Sequence, residues 1–192
     1  MSSRKCLCFF LLCAALGAAA ALVGDRIGEW AARPRTESWR LEMPVEYNSE
    51  VRDGIAAMQT EEQACVLWKK KKGVIVENPE FGRQMTVNAY GMAGSSSVLF
   101  PYTGGLSAGE TEYCIVSSDV AGKLFGGTDI TGRVVRIGSR EYIVSGVVFG
   151  QEEVFAYELP ADGEYKLTHA AVLTESRAKN HILKQEVNAF LN

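Results

Sequence analysis

The sequence predicts an α+β domain with a mixed or antiparallel sheet and short helices, carried behind an N-terminal transmembrane helix. Three observations point there. The 19 residues from Cys6 to Gly24 carry no charge, short amphipathic stretches interleave with β-rich runs over the remainder, and no repeat of 20 to 50 residues is visible. The chain has 192 residues, which suits one globular unit of roughly 150 residues behind the apolar segment.

At about 1.5 Å per residue the Cys6 to Gly24 run is long enough to cross a hydrocarbon core about 30 Å thick. Arg4 and Lys5 precede it, and the positive-inside tendency keeps them cytoplasmic, which sends the residues after Gly24 outward. The competing reading is a cleaved signal peptide, with Ala18-Ala19-Ala20-Ala21 as the small residues a signal peptidase requires. The run exceeds a usual signal core and continues past Asp25 to Ala32 with no break beyond Gly28. Residues 1–32 are therefore expected to be an anchor and its extension. Both readings place the main domain outside the cytoplasm.

Residues 33–47 contain Pro34 and mixed polarity and read as a connector, so the globular domain is expected over 48–192. A helix begins near Asn48 or Ser49, either able to accept a bond from a free backbone N–H, with Val51, Ile55 and Met58 on one face. Cys65 to Trp68 and Val74 to Val76 read as strand, interrupted by Lys69-Lys70-Lys71-Lys72. Asn78-Pro79-Glu80-Phe81-Gly82 is turn chemistry, and Arg83 to Tyr90 alternates as a returning strand. Gly91 to Gly109 reads as loop, broken by Val98-Leu99-Phe100.

Tyr113 to Val116 follows as a buried strand. A short helix capped by Ser117 or Ser118 presents Val120, Ala121, Leu124 and Phe125 and stops at Gly126-Gly127. Arg133 to Ile137 and Glu141 to Val148 are separated by a three-residue turn and should pair antiparallel. Strands near Val154 to Tyr157 and Tyr165 to Leu173 precede a terminal helix from about Glu175, with Leu183, Val187, Phe190 and Leu191 on one face.

A net charge of -3 supplies no field that would gather nucleic acid, so that partner is set aside. Of the five cysteines, Cys6, Cys8 and Cys13 lie in the apolar run. Cys65 and Cys114 belong to the globular part, as two buried small residues or as a disulfide if the fold brings their Cα atoms within about 7 Å. No cysteine or histidine spacing suggests a metal site, and no phosphate loop or dinucleotide fingerprint is present. Asp129 and Glu152-Glu153 are too sparse for a calcium loop.

Gly105-Leu106-Ser107-Ala108-Gly109 matches the GxSxG pattern of a hydrolase elbow. That elbow needs a strand-to-helix turn, and here the serine sits in a glycine-rich loop leading to a strand. His169 and His181 would have to supply a base, and nothing in the spacing directs either toward Ser107. The lysine run reads as a solvated strand edge that discourages edge pairing, against an alternative of anionic headgroup contact. No catalytic, cofactor or metal residue is assigned.

From Glu112 to Val148 the residues form a recognisable series. It comprises Tyr113-Cys114-Ile115-Val116-Ser117, then Leu124-Phe125-Gly126-Gly127-Thr128-Asp129-Ile130-Thr131-Gly132-Arg133, then Ile137-Gly138 and Val144-Ser145-Gly146-Val147-Val148. This series resembles the MacB-like periplasmic core domain, in which a strand and helix end in Leu-Phe-Gly, an Asp-x-x-Gly turn follows, and a hairpin finishes in Val-x-Gly-Val. A looser likeness runs from Val51 to Leu106.

The resemblance implies a domain inserted after the first membrane helix of an FtsX-type ABC transporter permease. Its implied partners are the lipid bilayer, an ATP-binding subunit, and further permease subunits or helices in a homo- or heterodimer. The implied role is non-enzymatic: coupling ATP-driven motion to export or to a periplasmic or extracellular partner. The family pattern has three more membrane helices after the domain, and none appears before Asn192. A permease fragment, a truncated relative and a stand-alone membrane-anchored binding module using the Gly91 to Gly109 loop all remain open.

Overall fold

The computed structural model describes residues 35–101, 105–107, 109–150 and 153–191. The expected anchor at residues 1–32 lies outside them, and no helix among the described residues is long and apolar enough to cross a membrane.

The connector expected over 33–47 is corrected. Arg35–Tyr47 is a strand, β1, which pairs antiparallel with the strand Tyr165–Thr174, β8. The physical reason is a strict period-two pattern: Trp39, Leu41, Met43, Val45 and Tyr47 alternate with Ser38, Arg40, Glu42, Pro44 and Glu46. Pro44 falls within the register shift between Arg40 and Val45, so its missing N–H interrupts no ladder bond there.

A helix, α1, spans Ser49–Ala57, and the Asn48 side chain accepts from the Val51 N–H at 2.9 Å. The two expected strand pieces around the lysines are one 16-residue strand, β2, Gln63–Asn78. Its lysines therefore lie inside a strand. A register shift between Lys71 and Val74, with Gly73 at φ 74, bends it midway. The turn after it is organised by buried Asn78, whose Oδ1 accepts from the Glu80 and Phe81 N–H groups while Nδ2 donates to the Leu124 carbonyl at 3.0 Å.

The returning strand, β3, runs Arg83–Gly94 and so extends past Tyr90 into residues expected to be loop. Glycine is needed at its end because the Leu159 side chain and the Cys65 carbonyl press on it. A Cβ on Gly91 would lie 2.9 Å from Leu159 Cδ2, and one on Gly94 would lie 2.6 Å from the Cys65 oxygen. A single 3-10 turn, Ser96–Val98, follows.

Strand β4, Tyr113–Ser117, feeds helix α2, Ser118–Phe125, which Ser117 caps and left-handed Gly126 closes at φ 83. Strands β5, Val134–Ile137, and β6, Arg140–Val148, form the expected antiparallel hairpin. Strand β7, Val154–Glu158, precedes β8, and the last helix, α3, spans Arg177–Leu191.

The strand order is β1-β8-β2-β3-β7-β4-β6-β5, and β5 meets β2 again at Glu77 and Arg136. The sheet is mixed, because β3 with β7 and β4 with β6 are parallel. The length of β2 makes this possible. Its first half pairs with β8 and its second half rejoins β5, so β2-β3-β7-β4-β6-β5 closes on itself.

One apolar cluster packs Leu67, Ala170 and Val172 under α1 and α3, a second packs Val87, Val116 and Phe155 around α2, and a third lies under Val98, Phe100 and Leu106. Of the expected face of α3, Leu183 and Val187 are buried, while Phe190 is 37% exposed and lays its ring over Gly54.

Candidate functional site

The segment between β3 and β4 is not a free loop. Buried Ser96 donates its backbone N–H to the Leu106 carbonyl, and its hydroxyl accepts from the Leu106 N–H. This clamp seats Val98, Phe100 and Leu106 on the sheet. Ser107 stays exposed, and its N–H donates to Glu110 Oε2 at 2.8 Å. Neither histidine approaches it. His169 Nδ1 meets Thr168 Oγ1 at 2.8 Å, and His181 pairs with Gln185 one turn along α3.

Cys65 and Cys114 are free thiols buried in different clusters, which resolves the open disulfide alternative against pairing. Burial pushes the Cys65 thiol up to about 12 and the Cys114 thiol up as well. Asp129 is exposed, and Glu153 forms an exposed ion pair with Lys123 at 3.5 Å, while Glu152 lies outside the described residues. No group of three metal-ligating side chains gathers among the described residues.

Next to the clamped segment the same sheet face carries a row of rings. Register places Arg40 of β1 opposite His169 of β8, His169 opposite Trp68 of β2, and Lys70 of β2 opposite Tyr90 of β3. Alternation turns these side chains to the face that also carries Val66, Met92 and Ala171. His169 stacks on Trp68 with centroids 4.2 Å apart and planes at 18°, Tyr90 tilts against Trp68 at 5.6 Å, and Phe100 meets Tyr90 edge-on at 5.7 Å. Lys70 Nζ stands 5.0 Å above the Tyr90 ring.

Burial, and then the Arg40 charge, hold the His169 imidazole below its ordinary value, favouring the neutral ring. The Trp68 indole N–H finds no acceptor among the described residues. Chemically this is a half-buried row of aromatic rings with a cationic rim, its unpaired Trp68 donor enclosed from solvent. Sequence reasoning missed it, because period two shows which residues share a face but not which strands lie side by side.

A groove of about 480 Å³ runs between the irregular part of β1 and α3, lined by Met43, Pro44 and Asn188 among others. Glu158 is fully buried, with Oε1 3.5 Å from the Tyr47 hydroxyl and Oε2 without a hydrogen-bond partner among the described residues. Burial pushes its carboxyl up to about 8, although the nearby Gly94 and Gly109 amides favour the anion.

No protein-family model and no curated protein matches the sequence. Among solved structures the chain is similar to the periplasmic region of MacB from Actinobacillus actinomycetemcomitans, with TM-score 0.53 and 13% identity over 73% of this chain and 72% of that one. It is also similar to the extracellular domain of YknZ, a noncanonic ABC-type transporter from Gram-positive bacteria, with TM-score 0.53 and 19% identity over 82% and 93% of the two chains. The chain thus has the fold of a MacB-like periplasmic domain, in agreement with the resemblance carried by Glu112 to Val148.

Proposed function

We propose that this chain is the extracytoplasmic domain of an ABC transporter permease-like membrane protein, held to the bilayer by the Cys6 to Gly24 segment. Its role is to couple ATP-driven motion to substrate export or to a periplasmic or extracellular partner. The observation that supports this most is the fold shared with the periplasmic region of MacB and the extracellular domain of YknZ. One apolar span encloses no transport path, so the reading requires an ATP-binding subunit and further permease helices, in a homo- or heterodimer.

The work is conformational rather than catalytic. Neither histidine is placed as a general base for Ser107, since His169 is stacked on Trp68 and His181 pairs along α3, and the Glu110 carboxylate beside Ser107 accepts from its backbone N–H. Affinity purification of the tagged chain from detergent-solubilised membranes tests the proposal. The expected result is recovery of an ATPase together with a polytopic subunit; repeated recovery of neither counts against it.

A second reading, a stand-alone anchored binding module, is favoured by one feature. The aromatic row of Trp68, Tyr90 and His169 is flanked by cations and by the Ser96-clamped segment. This reading expects ligand-dependent hydrogen-exchange protection of residues 95–109 with no transporter subunit present.

A further inference from the structure

The bend in β2 leaves a gap in the sheet. The ladder between β2 and β8 stops at Trp68 and His169, while on its other side β8 stays paired with β1 through Leu167, Lys166 and Tyr165. On the same side β5 joins β2 at Glu77 through Arg136, where an ion pair of 3.0 Å closes the far end. Between these points residues 69–75 have no strand partner on that side among the described residues, while Val76 is buried with Val135 and Ile137 of β5. At about 3.3 Å per residue this is about 23 Å of open edge, room for a short extended segment.

The open edge is where the four lysines fall. Lys70, Lys71 and Lys72 are exposed, and among the described residues no carboxylate pairs with any lysine of the run. The contacts they make are with rings on opposite faces: Lys69 Nζ lies 4.3 Å from the Tyr165 centroid and Lys70 Nζ 5.0 Å from that of Tyr90. Burial, and then the neighbouring Lys71 charge, hold the Lys69 amine below its ordinary value. An edge with free backbone groups and uncompensated cations on both faces is complementary to one kind of occupant.

We propose that the β2 edge from Lys69 to Ile75 receives an acidic, extended peptide segment of a partner protein by strand addition. Main-chain hydrogen bonds to β2 would supply the affinity, and carboxylates alternating over the two faces would meet the lysines as cross-strand pairs. A second copy of this chain fits poorly, since edge-to-edge pairing would set lysines opposite lysines. The inference does not depend on the transporter reading.

The test uses the full chain in phosphatidylcholine nanodiscs and a fluorescein-labelled eight-residue peptide of glutamate and threonine, read by anisotropy and by hydrogen exchange. The expected result is binding with protection of the amides in 69–75. Binding should weaken at least about tenfold in Lys70→Glu/Lys72→Glu, a surface double variant, and to a similar degree when alternate peptide nitrogens are methylated. Three results would overturn the proposal: no peptide binding, equal binding of the methylated peptide, or protection of 69–75 by phosphatidylglycerol nanodiscs alone with none by peptide.

Discussion

The Tyr47 hydroxyl lies 3.5 Å from Glu158 Oε1, and both side chains are buried where the end of β1 meets the end of β7. The pair places a carboxyl in the fold with no cation beside it. Burial is the largest influence and raises the Glu158 carboxyl from 4.5 to about 8, so at neutral pH it is mostly the neutral acid. A group raised in the folded state contributes stability that is fully present below its unfolded value. That stability is lost as pH rises through the folded one. The loss therefore falls between about pH 4.5 and pH 8 and is on the order of a few kcal/mol. Glu158→Gln keeps the shape of the neutral acid and cannot ionise. Urea denaturation at pH 5 and pH 8.5 should show the variant close to the parent at the lower pH and more stable at the higher one.

Asn78 links two parts of the closed ring of strands. Its amide satisfies the Leu124 carbonyl, one of the last of α2, and its oxygen orders the turn that carries Glu80 and Phe81. Asn78→Ala leaves these groups unpaired at a buried position and should cost about 2 to 3 kcal/mol in denaturant titration. Asn78→Asp retains the acceptor but loses the donor and buries a charge. It should be at least as destabilised at pH 7 and recover in part as the pH falls and the carboxyl becomes a donor.

Gly94 and Gly126 both have positive φ, 113 and 83, yet they should respond differently to alanine. At Gly126 a Cβ meets nothing closer than Arg83 at 3.8 Å, so the cost is that of the left-handed conformation, about 1 kcal/mol. At Gly94 a Cβ would lie 2.6 Å from the Cys65 carbonyl oxygen, which is backbone and cannot step aside. Thermal melts should show a Gly94→Ala destabilisation of more than about 3 kcal/mol, well beyond that of Gly126→Ala.

Local chemistry made most elements legible. The Asn48 and Ser117 caps, the Gly126 stop, the Asn78 turn and the β5–β6 hairpin follow from side chains within a few residues of the backbone they organise. β1 was missed for an identifiable reason: Pro34 and mixed polarity signalled a connector, while the alternation from Trp39 to Tyr47 described a strand. Pro44 was compatible because the ladder is already interrupted there. The strand end at Gly91 to Gly94 was read as loop because glycine opposes strand formation locally, and the crowding by Leu159 and Cys65 that requires it comes from distant segments.

The sequence by itself determined an α+β domain, the turns and caps that punctuate it, the uncharged segment ahead of it, and the residues from Glu112 to Val148 that carry the family likeness. These depend on periodicity and on contacts a few residues long. Tertiary structure decided which strands are neighbours. It set His169 on Trp68, buried Glu158 against Tyr47, kept Cys65 and Cys114 in separate clusters, and turned a run of lysines into an open strand edge. Each of these joins residues far apart in the chain, and their meeting follows from the register and bending of β2 rather than from any local preference.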